Sequence, residues 1–270
     1  MEEYLEFAKS IALYAGKIMK DYFNSDMNIE FKSDKTPVTD ADKMINHYLI
    51  EQVKNSYPLH GVYGEEEAYN KDNNKLWVCD PIDGTSGFTR HIPISVFSLA
   101  YVEDGIPLVG VVYDPYLDEM YTAIKGKGAY CNGKPISVNN LDYGEIGCSV
   151  DYCMWNHAKY DTLEIVKAIR SNVKTCQVGS VAHACMLVAS GKISAEIFPG
   201  TKHANCDMAA SKLIVEEAGG LVTDFHGNEQ DYSKDLDGAL ASNGKIHKQL
   251  LLKMKEIYWY NSLFYLFKKW

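Results

Sequence analysis

The stretch Trp77-Val78-Cys79-Asp80-Pro81-Ile82-Asp83-Gly84-Thr85-Ser86-Gly87-Phe88 decides how this chain is read. An apolar, strand-like run ends in two carboxylates, Asp80 and Asp83, with Pro81 fixing the backbone between them. A Gly-Thr-Ser turn follows. Such a turn can open a helix whose free N–H groups attract an anion. Carboxylates for a hard cation beside an anion cradle are the chemistry of metal-assisted phosphoryl transfer.

The totals agree with an enzyme for small molecules. At 270 residues the chain makes one large domain or two modest ones, and 46% hydrophobic content supplies a core. A net charge of −9 argues against a protein that coats a nucleic acid polymer, which needs a basic face. It leaves room for a phosphorylated metabolite, because bound Mg²⁺ reverses the local sign. The seven cysteines are odd in number and scattered, with no C-x-x-C, which predicts a reducing, cytoplasmic compartment. No secretory leader and no apolar run of spanning length is present, so no membrane span is expected.

On the N-terminal side, Leu5, Ala8, Ala12, Ala15 and Met19 recur at helical spacing over residues 2–24. A polar turn or hairpin follows at Lys32–Pro37. A second helix is expected from Thr39 as N-cap, with Met44, Ile45, Tyr48, Leu49 and Val53 on one face. Asp40 and Asp42 fall in its first turn, where acids complement the helix dipole. Gly64-Glu65-Glu66-Glu67 lies in a polar loop, which by itself reads equally as a solvated run.

On the C-terminal side, strands are predicted at 95–102, 108–113 and 119–124, with hairpin turns at Asp104-Gly105 and Asn132-Gly133. Gly128 to Lys134 matches a nucleotide-binding loop until Pro135 replaces the Ser or Thr that would hold Mg²⁺, and is read as a hairpin. Further strands are predicted at 146–150, 175–178, 193–198 and 221–224, and helices at 162–170, 181–190, 207–218 and 245–257, with Gly219-Gly220 as a helix stop. Asp207 is read as the first residue of its helix, with its carboxylate placed as an N-cap would place it. The fold class is α/β, α+β in the first half, parsed as subdomains 1–143 and 144–270 with the active site at their interface. The aromatic tail 257–270 is too short to span a bilayer and is read as a packing or subunit contact.

The central stretch resembles the D-P-[IL]-D-G-T-[ST] motif of the inositol monophosphatase family, part of the lithium-sensitive phosphatase superfamily that includes fructose bisphosphatase. Cys206-Asp207-Met208-Ala209-Ala210 running to Glu217-Ala218-Gly219-Gly220 resembles the second family motif, Gly64-Glu65-Glu66 its G-E-E, and Lys32 through Asp42 its lysine-led x-V-T-x-x-D segment. Gly87 and Cys206 depart from the usual Asn and Trp. The resemblance implies a layered αβαβα sandwich, usually a homodimer, and two or three Mg²⁺ ions. Glu65, Asp80 and the Ile82 carbonyl would hold the first ion, Asp80, Asp83 and Asp207 the second, and Glu65 with Asp42 a third. Thr85 paired with Asp42 would orient or deprotonate a metal-activated water, and Gly84, Thr85 and Ser86 would cradle the phosphate, with Asp83 and Asp207 also at the substrate. The implied activity is Mg²⁺-dependent phosphomonoester hydrolysis of a small phosphorylated metabolite. A nucleotide 3′-phosphatase, a histidinol phosphatase or a sugar bisphosphatase are alternatives, and a catalytically silent metal-binding or interaction protein is the rival outside the class. The loop 198–205 carries Lys202 and His203 but no carboxylate, which predicts no strong preference for inositol monophosphate.

Overall fold

The computed structural model describes the chain except residues 26, 33–35, 155–157, 159 and 268–270, and of residues 258–267 the backbone alone. Helix α1 (Glu2–Phe23) buries Ala8, Ile11, Ala12, Ala15 and Met19 on one stripe, as its periodicity requires. Strands β1 (Ile29–Phe31) and β2 (Pro37–Thr39) pair antiparallel, and the middle of the turn expected at 32–37 lies outside the described residues. Helix α2 (Asp40–Ser56) starts after Thr39 with Ile45, Leu49 and Val53 inward, whereas Met44, expected on the same face, is exposed.

Next come β3 (Gly61–Gly64), β4 (Ala68–Tyr69), β5 (Lys75–Asp83) and the single-turn helix α3 (Thr85–Phe88). Strands β6 (Val96–Glu103), β7 (Ile106–Asp114), β8 (Glu119–Ile124), β9 (Ala129–Cys131) and β10 (Lys134–Pro135) form a meander. Its last turn is Asn132-Gly133, both at positive φ, so the segment that mimics a nucleotide loop is a hairpin.

The second half runs β11 (Ser149–Tyr152), α4 (Thr162–Ile169), β12 (Lys174–Cys176), α5 (Val181–Ala189), β13 (Ala195–Phe198), α6 (Ala204–Glu217), β14 (Leu221–Thr223), β15 (Ala239–Ser242) and α7 (His247–Phe267). The strand expected at 146–150 sits at 149–152, because Gly147 takes a positive φ and Ile146 is left in solvent. The expected packing of the aromatic tail falls outside the described side chains.

These elements stack as α, β, α, β, α. Helices α1 and α2 cover one face of the eight-stranded sheet β10-β9-β8-β7-β6-β5-β3-β4 around Trp77, Phe97 and Tyr101. Helices α5 and α6 fill the middle, packed on the other face and on the five-stranded sheet β12-β11-β13-β15-β14. Helices α4 and α7 close the outer face through Ile165, Ile169, Leu250 and Met254. Gly110 of β7 sets the depth of the middle layer. A Cβ there would lie 3.0 Å from the Ala210 carbonyl oxygen, so the backbone of α6 rests on a residue without a side chain.

Candidate active site

Strand β5 reaches the site through a bulge. Asp80 pairs with Ser98 and Asp83 with Val96, so β5 carries one residue more than its partner. Pro81 has no amide hydrogen to lose from the ladder there. Gly84 then turns at φ 88°, and a Cβ on it would meet the Ser180 side chain at 3.0 Å. Gly87, where an Asn was expected from the resemblance, faces Ile94, whose side chain would lie 2.7 Å from a Cβ.

One oxygen each from Asp80, Asp83 and Asp207 lie within 4.8 Å of one another. Asp83 Oδ2 accepts the Ser180 hydroxyl at 2.7 Å and the Ala182 amide at 2.5 Å. Asp80 Oδ1 accepts the Ile82 amide at 2.9 Å. Asp207 reaches the cluster from a different place than the sequence predicts. Helix α6 starts at Ala204 behind His203, whose φ is 61°, so Asp207 is the fourth helical residue and not an N-cap. The buried Ala204, Asn205 and Cys206 supply the extra turn, and no motif marks its start.

The electrostatics of this cluster call for a cation. Burial pushes the Asp80 carboxyl well above its ordinary value, and Glu65, Asp207 and Asp83 push it further. Asp207 rises through burial and then through Asp83 and Glu65. Buried like charges are unfavourable unless neutralised, and an all-oxygen donor set suits a hard divalent ion. Glu65 stands beside them with Lys32, whose ammonium donates to Glu65 Oε1 at 2.7 Å and to Glu66 Oε1 at 2.5 Å. Burial draws the Lys32 ammonium down, but the two glutamates outweigh it and hold it above its ordinary value. Glu66 is raised by burial and then by Glu65.

Asp42 is bound differently from its expected pairing. Its Oδ2 accepts the Thr39 amide at 2.8 Å and the Thr39 hydroxyl at 2.6 Å, and its buried Oδ1 has no partner. The Thr85 hydroxyl donates to the Ile82 carbonyl at 2.8 Å, so Thr85 and Asp42 share no hydrogen bond among the described residues. The local capping geometry of α2 takes both Thr39 donors to Asp42 and keeps it back from the cavity. Burial lifts Asp42 to about 7, against the Thr39 hydrogen bonds and with added repulsion from Glu66 and Glu65.

Glu65, Asp80, Ile82, Asp83, Thr85 and Asp207 line a cavity of about 970 Å³, together with Gly84 and Ser86. The amides that open the α3 turn have no partner within it. Farther around the wall stand Arg90, Gln177, Lys202, His203, Asp235 and Asp237. The sequence reading found only Lys202 and His203 of these. Asp235 and Asp237 come from an irregular segment without periodicity or motif. Asp235 Oδ1 accepts the Tyr63 hydroxyl at 3.0 Å and the His203 amide at 2.9 Å, which ties that segment to the loop ahead of α6. Arg90 stands one turn beyond Thr85, and its position after the central stretch is the signal that could have found it.

Known proteins are similar to this chain in sequence and fold. A family model described as the inositol monophosphatase family matches residues 1–258. Inositol monophosphatase 1 of Solanum lycopersicum is 33% identical over 241 residues, covering 86% of this chain and 88% of the relative. A Thermotoga maritima protein named fructose-1,6-bisphosphatase/inositol-1-monophosphatase is 30% identical over 258 residues, covering 94% and 96%. The solved structure of a Thermotoga maritima IMPase superposes with a TM-score of 0.85 at 28% identity, covering 95% of this chain and 98% of that one.

Proposed function

The chain belongs to the inositol monophosphatase family of metal-dependent phosphatases, is a phosphoric monoester hydrolase, and from the side chains around its cavity we propose that it uses Mg²⁺ to hydrolyse a small metabolite with a second anionic group beside the ester. The convergence of Asp80, Asp83 and Asp207 is the observation that carries the chemistry. In this reading Glu65, Asp80 and the Ile82 carbonyl hold one ion, Asp80, Asp83 and Asp207 a second, and Glu65 with help from Asp42 a third. When bound, the ions supply positive charge to the ester oxygens and acidify water.

The chain's own groups do the rest. The Thr85 hydroxyl spends its hydrogen on Ile82, so toward the cavity it offers lone pairs that accept a hydrogen bond from the attacking water and fix its line of approach. Glu65, steadied by Lys32, is the neighbouring carboxylate that can draw on the same water. The amides of Gly84, Thr85 and Ser86 donate to the phosphoryl oxygens, where charge accumulates in the transition state. Asp83 is held for its ligand role by Ser180 and Ala182.

Arg90 and Lys202 both line the cavity, and among the described residues neither side chain is in an ion pair. Two uncommitted cations favour a second phosphate or a carboxylate on the substrate. The relative whose name includes fructose-1,6-bisphosphatase supports that reading. Asp235 and Asp237 favour a second one, an amine-bearing ester such as histidinol phosphate. Comparison of kcat/KM for inositol monophosphate, fructose 1,6-bisphosphate, a nucleoside 3′,5′-bisphosphate and histidinol phosphate tests both. A bisphosphate should be hydrolysed at least as well as inositol monophosphate, and Arg90→Ala should lower its kcat/KM selectively. A preference for inositol monophosphate of roughly a hundredfold, beyond what one pocket contact supplies, would overturn the assignment. The same reading takes residues 1–143 and 144–270 as two subdomains with the site between them, in a cytoplasmic homodimer. Among the described residues no helix is long and apolar enough to cross a membrane.

A further inference from the structure

The five-stranded sheet gathers a second acidic group, made of residues other than the catalytic carboxylates. Asp151 on β11 is in register with Glu196 on β13 and with Cys176 on β12, and Cys153 follows Asp151 by two residues. Neighbours in register and residues two apart project from one face of a sheet. One ligand atom each from Asp151, Cys153 and Glu196 lie within 4.8 Å of one another, and all three residues are buried.

Buried carboxyls ordinarily collect donors. Asp151 Oδ1 does so, accepting the Val178 amide at 2.8 Å. Asp151 Oδ2 and both oxygens of Glu196 have no hydrogen-bond partner, although Glu196 is 0% exposed. Three buried oxygens therefore meet no amide, hydroxyl or ammonium donor and face only one another and neighbouring thiols. We propose that Asp151, Cys153 and Glu196 form a second metal site, separate from the catalytic one, for a thiophilic divalent cation of the Zn²⁺ type. A sulfur ligand with two carboxylates selects such an ion over Mg²⁺, which demands near-octahedral oxygen.

Three anionic ligands and one dication leave a single negative charge, so the ion offsets most of the charge that the ionised cluster would bury. Cys153 also lines the active-site cavity, which gives the ion a way in.

Cobalt distinguishes the two sites, because thiolate-to-cobalt charge transfer arises only where sulfur is a ligand. The full chain, saturated with Mg²⁺, is titrated with Co²⁺ and separately dialysed against Zn²⁺ with metal analysis. The expected result is a charge-transfer band and one bound Zn²⁺ per chain. The band should vanish in the near-isosteric Cys153→Ser and persist in Asp80→Asn, and Glu196→Gln should weaken Zn²⁺ binding by about tenfold or more. Absence of the band in the unaltered protein, its survival in Cys153→Ser, or its loss in Asp80→Asn would overturn the proposal, leaving a carboxyl pair that only shares a proton.

Discussion

The Ser180 hydroxyl donates to Asp83 Oδ2 at 2.7 Å while accepting the His183 amide at 3.2 Å, so one side chain caps α5 and holds a carboxylate of the eight-stranded sheet. Asp83 thus rests on the start of a helix, where backbone N–H groups favour negative charge. Ser180→Ala removes the cap and the donor together. It should destabilise the protein by about 1–2 kcal/mol and raise the Mg²⁺ concentration for half-maximal turnover, while Ser180→Thr keeps most of both. Thermal melts and Mg²⁺ titrations of activity check this.

Chelation should stop phosphate release, and Asp80→Asn should abolish it without loss of fold. In metal-free buffer Asp80→Asn should melt above the unaltered protein, because a buried charge repelled by Glu65, Asp207 and Asp83 is gone. Turnover that persists in chelator or in the variant would remove the metal reading.

Asp42 sets a pH dependence. Its folded value of about 7 lies above the roughly 4 expected of an unfolded aspartate. Between those values the folded state binds more protons than the unfolded one, so metal-free stability falls as pH rises through that window and levels off above it. Asp42→Asn should flatten this slope. Urea midpoints measured across the window decide the sign.

Thr85→Ala should lower kcat by about a hundredfold or more with little change in KM, and Thr85→Ser should recover most of it. A raised KM with normal kcat would move Thr85 from the attacking water to substrate binding.

The helices and meander strands were legible because their burial repeats at a fixed period. α1 shows it in Ala8, Ala12, Ala15 and Met19, and β7 in its long apolar run. Strands β3, β4 and β15 were not, since two to four residues carry too little pattern and each is recruited by neighbours distant in sequence. At the site, Asp80 and Asp83 could be read from one stretch because the bulge that presents them is local. Their meeting with Asp207 could be inferred only through the family resemblance. Asp235 and Asp237 were invisible because the segment that carries them is placed by tertiary bonds such as Tyr63 to Asp235. The Thr39 hydroxyl's donation to Asp42 could have been foreseen from the capping pattern alone.

The contact of Gly110 with the backbone of Ala210 has an evolutionary consequence. Any larger residue at Gly110 would lift α6 and with it Asp207. The helix that carries the ligand is therefore locked by its packing, while Lys202, His203, Asp235 and Asp237 sit on loops that substitution can reshape without disturbing that lock. Chemistry and selectivity reside in mechanically separate parts of the molecule. Such a chain can change what it cleaves in small steps and keep the means of cleavage throughout.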